Sequence, residues 1–82
     1  MECIKYVIAS QDMSPRIAAE LCSAFGSYDD GIYLCKDSRK CNAKSMLGIM
    51  SLNIRCGDSV EISARGNSRN ALPVIDQAIK LL

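Results

Sequence analysis

The sequence contains no histidine and no tryptophan, and its formal net charge is only +1. Without histidine, and with no Cys-x-x-Cys pair, a zinc site is not expected. The small net charge gives no electrostatic argument for binding nucleic acid. No apolar run approaches the roughly 18 residues of a membrane-spanning helix. These absences favour a soluble domain that works without a metal or a cofactor.

The chain is also short. Its 82 residues predict one domain, spanning residues 1–82. The N-terminal stretch MECIKYVIAS is too polar and too short for a signal peptide, so we expect a cytoplasmic protein. In that reducing compartment the cysteines are expected to be free thiols. They are odd in number and widely spread: Cys3, Cys22, Cys35, Cys41 and Cys56.

Local signals predict alternating strands and helices. β-branched or alternating stretches predict strands over residues 3–9, 32–36, 40–42 and 59–65, with residues 37–39 as a tight hairpin connection. Ser14 and Pro15 predict a helix start, because serine can cap and proline suits the first helical position. A helical face follows, made of Ile17, Leu21, Ala24, Phe25 and Tyr28. A second, short helix is predicted over residues 45–52.

The last two elements carry more specific expectations. In the fourth strand, alternation predicts inward side chains at Val60, Ile62 and Ala64 and outward ones at Glu61, Ser63 and Arg65. The final helix presents a broad apolar face from residue 71 to residue 82. Pro73 conflicts with a helix that starts at Ser68. A cap at Asn70 removes that conflict, and a kinked start near Ser68 is the alternative.

The element order is therefore β-α-β-β-α-β-α. It predicts an α+β open-faced sandwich, with a four-stranded antiparallel sheet and three helices on one of its faces. The other face is expected to be open to water, which fits strands with one polar side.

Three stretches carry a family resemblance. NAKSMLGIMSL resembles the regulatory region of HPr. CGDSVEISARG is similar to the turn and strand that follow that region. SPRIAAEL is similar to the active-site loop and first helix of HPr. HPr is the small phosphocarrier of the bacterial sugar phosphotransferase system. The resemblance covers nearly the whole chain, and the NAKS…MSL block is its most specific part.

One departure from the family bears on function. The family carries its phosphoryl group on a histidine, in a pattern like His-Ala-Arg-Pro, and the matching residues here are Ser14, Pro15, Arg16 and Ile17. A phosphoserine ester is stable and would be a dead end for a carrier, and no histidine is present to activate Ser14. The helix start could still hold an anion, with Arg16 adding charge. Otherwise Ser14 is simply a cap.

Ser45 is the candidate regulatory residue. In Gram-positive members of the family, the matching serine is phosphorylated by HPr kinase, which uses ATP. At a helix start, added negative charge meets free amides and the favourable end of the helix dipole. The alternative is that Ser45 only caps its helix. The nearby Arg39, Lys40 and Lys44 could contact the kinase or the phosphate, or form a solvated face.

The apolar side chains after Ser45 divide into two groups. Ile49 and Leu52 are expected to face the sheet, while Met46, Leu47 and Met50 are left at least partly exposed as an adaptable protein-binding patch. The alternative is that all of them belong to the core. The resemblance favours the patch, because enzyme partners and a transcription regulator bind this surface in relatives.

The resemblance thus implies a non-enzymatic, regulatory HPr-like protein, similar to the catabolite-repression branch that also lacks the carrier histidine. Its implied partners are HPr kinase/phosphorylase and, for the phosphorylated form, a LacI-type catabolite regulator or another protein linked to the phosphotransferase system. Neither nucleic acid nor a membrane is among the expected partners. Two alternatives remain: a divergent binding module without a switch, and catalysis by a cysteine, for which no base is evident.

Overall fold

Strands and helices follow one another in the predicted order, and the computed structural model describes residues 2–82, with residue 68 described by its backbone alone. The bounds are close to those expected from the sequence. The elements are β1 (Glu2–Ile8), α1 (Pro15–Gly26), β2 (Ile32–Lys36), β3 (Arg39–Asn42), α2 (Met46–Ser51), β4 (Ser59–Arg65) and α3 (Ser68–Leu81).

The four strands form one antiparallel sheet in the order β1-β4-β2-β3, and the three helices cover one of its faces. β1 pairs with β4 along its whole length, from Glu2 opposite Arg65 to Ile8 opposite Ser59. β2 and β3 form the expected hairpin, but β3 already begins at Arg39, one residue earlier than predicted. Asp37 and Ser38 turn the chain with φ values of 50° and 68°. Two positive φ angles are typical of the type I′ turn, whose twist matches that of the strands.

The core lies between the sheet and the helices. Alternate residues of β2 and β4 point toward it, as the period of two requires. Helical spacing adds one buried stripe from each helix. The largest fully buried side chains of the core are Leu21, Phe25, Ile32, Leu34, Ile49, Ile54, Val60, Ile62 and Ile75. The open-faced α+β sandwich predicted from the sequence is therefore confirmed.

The start of α3 agrees with the second of the two predicted starts, the one near Ser68. The helix begins at Ser68 with Asn67 as its cap, whose side chain accepts a hydrogen bond from the Arg69 amide at 2.9 Å. The cap predicted at Asn70 is wrong, and Pro73 lies inside the helix. Proline has no N–H to donate to the Arg69 carbonyl. Arg69 and Pro73 are not buried, so water can reach that carbonyl.

The open face of the sheet is less polar than expected. On β1, Ile4, Tyr6 and Ile8 point away from the helices and are exposed. Ser63 points to the same outer face, as predicted, but it is only 3% exposed. It lies between Ile4 and Tyr33 in the sheet register, and these larger neighbours flank it on both sides.

Candidate functional site

Ser45 stands immediately before α2 and caps it. Its backbone is extended, with φ −102° and ψ 114°, and its hydroxyl oxygen accepts a hydrogen bond from the Gly48 amide at 3.1 Å. This is the usual geometry of a serine cap. No acidic residue lies in the first turn of α2. The half-buried hydroxyl therefore stands where a negative charge is favoured by the helix dipole.

The chain that leads into α2 is held in place by backbone and side-chain contacts. The Asn42 side chain accepts from the Lys44 amide and the Asn42 carbonyl from the Ser45 amide, both at 2.9 Å. The Lys44 ammonium donates to the Tyr28 carbonyl. Ala43, which lies inside this segment, is fully buried. The position of Ser45 is thus fixed by the segment before it as well as by its own cap.

α2 separates its apolar side chains as the sequence predicted. Ile49 and Leu52 are buried at 0% and 3% exposure. Leu47 is 84% exposed, the highest value among the exposed large apolar residues, and Met46 is 40% exposed. Met50 is half-buried and packs against the core. We call the surface formed by Met46, Leu47 and Met50 the α2 patch.

Gly48 lets α2 lie close to β3. A β-carbon at Gly48 would stand 3.1 Å from the β-carbon of Cys41 and 3.4 Å from the hydroxyl oxygen of Ser45. Cys41 is half-buried beneath the helix, and burial raises the pKa of its thiol. The neutral thiol is the form that burial favours, so Cys41 acts as a small apolar packing residue here.

The far end of α2 is held by two cations that the sequence pattern did not place there. The Lys36 ammonium donates to the carbonyls of Asn53 at 2.7 Å and Leu52 at 3.3 Å, and it lies 2.9 Å from a carboxylate oxygen of Asp58. The Arg39 guanidinium donates to the Ser51 carbonyl at 3.1 Å. Positive charge at a helix C-terminus interacts favourably with the helix dipole. The Lys36 contact also holds the pKa of the Asp58 carboxyl below its usual value.

The three basic residues that neighbour Ser45 in the sequence are directed to three different places. Arg39 contacts the end of α2, and Lys44 contacts the Tyr28 carbonyl. The Lys40 ammonium lies over the ring of Tyr33, 4.6 Å from its centre. These three residues are close to Ser45 in the sequence, but their charged groups do not gather around its hydroxyl.

Ser14 occupies the corresponding position before α1. Its hydroxyl accepts from the Ile17 amide at 3.3 Å, and Pro15 takes the first helical position, as predicted. Arg16 is 75% exposed along its side chain and pairs with Glu20 one turn further on, at 3.3 Å. An anion at Ser14 would have to draw Arg16 away from Glu20, so the predicted anion site is not preformed by that arginine.

The loop after α2 links the C-terminal end of α2 to the segment that precedes α1. The Met13 amide donates to the Ile54 carbonyl at 2.8 Å, and the Cys56 amide donates to the Asp12 carboxylate at 2.8 Å. Residues 12 and 13 immediately precede Ser14. The same loop carries Asp58, which binds Lys36 beneath the end of α2.

Two further observations concern the thiols and the helices. All five cysteines are free, and Cys56 is the one that is exposed, the other four being half-buried. No helix in residues 2–82 combines the length and the apolar character needed to cross a bilayer.

Comparison with known proteins identifies the family to which this chain is similar. A family model described as the PTS HPr component phosphorylation site matches residues 5–81. The phosphocarrier protein HPr of Treponema pallidum (strain Nichols) is 35% identical over 51 residues, covering 62% of this chain and 58% of that protein. The HPr-like protein Crh of Bacillus subtilis (strain 168) is 35% identical over 54 residues, covering 66% and 64%. This chain thus aligns with 58% and 64% of the length of these two curated relatives.

The fold comparison covers more of the molecule. The crystal structure of a phosphocarrier protein HPr from Bacillus anthracis str. Ames matches with a TM-score of 0.86 at 26% identity. That match covers 99% of this chain and 96% of the other. Because the family model spans all but the first four residues and the last one, and because the fold agrees along the whole chain, this protein belongs to the HPr family.

Proposed function

We propose that this protein is a regulatory member of the HPr family that does not carry phosphoryl groups. It acts in the cytoplasm in carbon catabolite control, as one domain over residues 1–82 and without a cofactor or catalytic activity of its own. HPr kinase/phosphorylase modifies Ser45, and a LacI-type regulator or another protein linked to the phosphotransferase system then binds the α2 patch. The observation that carries this proposal is that Ser45 caps α2 two residues before the exposed Leu47.

The absence of a carrier residue supports the first part. The chain has no histidine, and the position that matches the carrier histidine holds Ser14. Imidazole forms a reactive phosphoramidate, whereas serine forms a stable ester that does not return its phosphoryl group easily. The Ser14 hydroxyl is also engaged as the cap of α1, and Arg16 is paired with Glu20. No histidine is present to activate this hydroxyl as a nucleophile.

The local electrostatics support phosphorylation at Ser45. Phosphate attached to its hydroxyl stays next to the Gly48 amide, and α2 has no acidic residue in its first turn to repel it. A charge at a helix start is worth about 1 kcal/mol or less in stability, in the favourable direction. The fold therefore tolerates the modification, and its effect is expected on recognition.

The exposure of the α2 patch supports the binding role. Leu47 is 84% exposed and Met46 is 40% exposed, so much of their apolar surface faces solvent and is available to a partner. A partner that binds phosphorylated Ser45 through an arginine gains a charge-assisted hydrogen bond, and the apolar patch beside it supplies contact area. Methionine adapts its shape readily, which suits such a surface.

The first experiment tests the switch. Purified protein is incubated with HPr kinase and ATP, and its mass and the modified residue are determined by mass spectrometry. We expect one phosphate, on Ser45. Ser45→Ala should remain unmodified, while the control Ser51→Ala should be modified normally, because Ser51 is an exposed serine of the same helix whose hydroxyl binds the Gly48 carbonyl. Phosphate on Ser51 or Ser14 would contradict the assignment.

The second experiment tests recognition by calorimetry with a LacI-type regulator. The phosphorylated protein should bind more tightly than the unmodified one, and Met46→Ala should weaken binding by about fivefold or more without preventing phosphorylation. Leu47→Ala should act in the same direction. Met50→Ala should also weaken binding, but part of its side chain packs against the core, so its stability must be measured alongside. Equal affinity of the two forms would leave Ser45 as an ordinary cap.

The runner-up is a binding module without a switch. The hydrogen bond from the Gly48 amide to Ser45 favours it, because a cap alone accounts for a serine at this position. In that case HPr kinase adds no phosphate, yet the α2 patch still binds its partner. Phosphorylation and binding measured separately on the same preparation distinguish the two functions.

A further inference from the structure

β1 carries a second exposed apolar surface, which is far from the α2 patch in the sequence. Its outward side chains are Ile4, Tyr6 and Ile8, with exposures of 45%, 69% and 62%. In residues 2–82, the other exposed large hydrophobic residues are Met46 and Leu47 on α2. Three of the five exposed large hydrophobic side chains in the described residues therefore lie at alternate positions of β1.

β1 is also an edge of the sheet. Within the described residues it pairs with β4 alone, so one row of its backbone N–H and C=O groups faces outward. Such an edge is a template for another strand, and proteins commonly protect it with charge or with short length. The opposite edge, β3, has four residues, three of them exposed and polar: Arg39, Lys40 and Asn42. β1 has seven residues and an apolar outer side, and its charges are Glu2 and the inward-pointing Lys5, so it is the longer and more apolar of the two edges.

The sequence of β1 is symmetric about Tyr6 in its outward positions. Reading in either direction from Tyr6, the next outward residue is an isoleucine, Ile4 or Ile8. Two copies of this strand can therefore pair antiparallel about Tyr6, with Ile4 of one copy opposite Ile8 of the other. Directly opposite apolar and aromatic side chains are the pairs that stabilise a sheet. We propose that β1 is a self-association surface, through which two copies of this chain join their sheets edge to edge.

Charge favours this register over the one centred on Lys5. Lys5 points to the helix side of the sheet, where it lies 3.8 Å from Asp76 of α3. In the register centred on Tyr6, Lys5 meets Val7 of the other copy. A register centred on Lys5 would place the two lysines opposite each other and Ile8 opposite Glu2. Like charges directly opposite are unfavourable, so pairing about Tyr6 is the better match.

The size of the contact sets its strength. Two paired seven-residue strands bury less than the roughly 1,600 Å² of a standard stable interface. We therefore expect a reversible dimer with a dissociation constant between about 1 µM and 1 mM. The α2 patch lies on a separate element and stays accessible in this arrangement.

Sedimentation velocity over a concentration series tests the surface. The unmodified chain should shift from monomer toward dimer by about 1 mM, and Tyr6→Lys should weaken association at least about tenfold. Leu47→Lys is the matched control, because it adds the same charge at an exposed apolar residue of the α2 patch, and it should leave association unchanged. A chain that stays monomeric at about 1 mM, or a dimer lost in Leu47→Lys but kept in Tyr6→Lys, overturns the proposal.

A mixing experiment tests the register. Ile4→Lys and Ile8→Glu should each weaken self-association, because each homodimer sets charged residues opposite isoleucines. Their equimolar mixture should associate again, since the lysine of one copy then faces the glutamate of the other while the remaining Ile8 and Ile4 pair as before. Ile4→Lys mixed with Ile4→Glu is the control and should not recover, because those positions do not face each other. Recovery in the control mixture, or none in the test mixture, refutes pairing about Tyr6.

Strand exchange gives a different result. In an exchanged dimer β1 keeps its contacts with a β4 strand, and its outward side chains face solvent as before. Association would then persist in Tyr6→Lys and in both isoleucine variants, and that outcome also overturns edge pairing.

Discussion

Replacing Lys36 by methionine should destabilise the protein far more than replacing an exposed lysine such as Lys5. The Lys36 side chain is only 14% exposed, and its ammonium donates to the Asn53 carbonyl at 2.7 Å and to the Leu52 carbonyl at 3.3 Å. These carbonyls end α2, so they lose their donor when the ammonium is removed. Methionine keeps most of the aliphatic packing, which isolates the polar contribution.

The magnitude follows from these contacts. A hydrogen bond from a charged donor is worth about 1.5–3 kcal/mol, and the longer bond to Leu52 adds little, so we expect a loss of about 2 kcal/mol in the free energy of unfolding. For a domain of this size that corresponds to a melting temperature lower by about 8 to 16 °C. Because the chain has no tryptophan, urea unfolding is best followed by far-UV circular dichroism.

Lys5→Met is the control for this measurement. Its pair with Asp76 is 3.8 Å long, and the two side chains are 45% and 59% exposed. A pair this open is worth about 0.5 kcal/mol or less. If Lys36→Met costs no more than Lys5→Met, the contacts of Lys36 with the end of α2 do not stabilise the fold, and the reasoning fails.

Other changes test the hairpin turn, the Asp58 carboxyl and the carrier position. Ser38→Gly should raise the free energy of unfolding by about 0.5–1 kcal/mol, because Ser38 has φ 68° and glycine adopts that angle without strain; a lower urea midpoint would contradict this. The pKa of Asp58 is lowered by the hydrogen bond from Lys36, so its contribution to stability is present above the unfolded pKa of about 4 and is lost as the pH falls through the lower folded value. Acid titration of stability below about pH 4 should therefore be steeper for the unmodified chain than for Lys36→Met, and equal slopes would refute this linkage. Incubated with enzyme I and phosphoenolpyruvate, the chain should gain no acid-labile phosphate, whereas Ser14→His should gain it slowly; labelling of the unmodified chain would contradict the non-carrier assignment.

The elements whose signals are local could be predicted well. Ser14 and Ser45 each cap a helix through the amide three residues later, and that relation is visible in the sequence. The division of α2 into buried Ile49 and exposed Leu47 follows from helical spacing on a one-sided sheet. These features need no knowledge of distant residues.

Of the two predicted starts of α3, the cap at Asn70 was wrong because local and tertiary effects compete there. Proline disfavours an interior helical position, and that local rule pointed to Asn70 as the cap. In the fold, Ala71 is fully buried and Asn67 caps an earlier start. Packing of the first turn outweighs the loss of one hydrogen bond at a carbonyl that water can reach.

The contacts of the cations could not be predicted for a different reason. Lys36 and Arg39 lie near α2 only because the β2–β3 hairpin folds back beneath it. The short sequence distance between Arg39 and Ser45 suggested a role near the phosphate, but the strand directs this side chain to the opposite end of the helix. The burial of Ser63 has a similar origin, since alternation gives the face of a residue but not the size of its neighbours in adjacent strands.

The pairing of the first strand with the last strand has a consequence during synthesis. Tyr6 of β1 finds its partner Glu61 only after 55 further residues have been made. At about 5–20 residues per second, β1 is therefore made roughly 3 to 11 seconds before β4. Once β1 has left the ribosome, and until β4 follows, the nascent chain displays Ile4, Tyr6 and Ile8 together with the apolar residues of its inner side, Cys3 and Val7. The growing chain is thus most exposed to chaperones and to other nascent copies at its first strand, which stays unpaired until almost the entire domain has been synthesised.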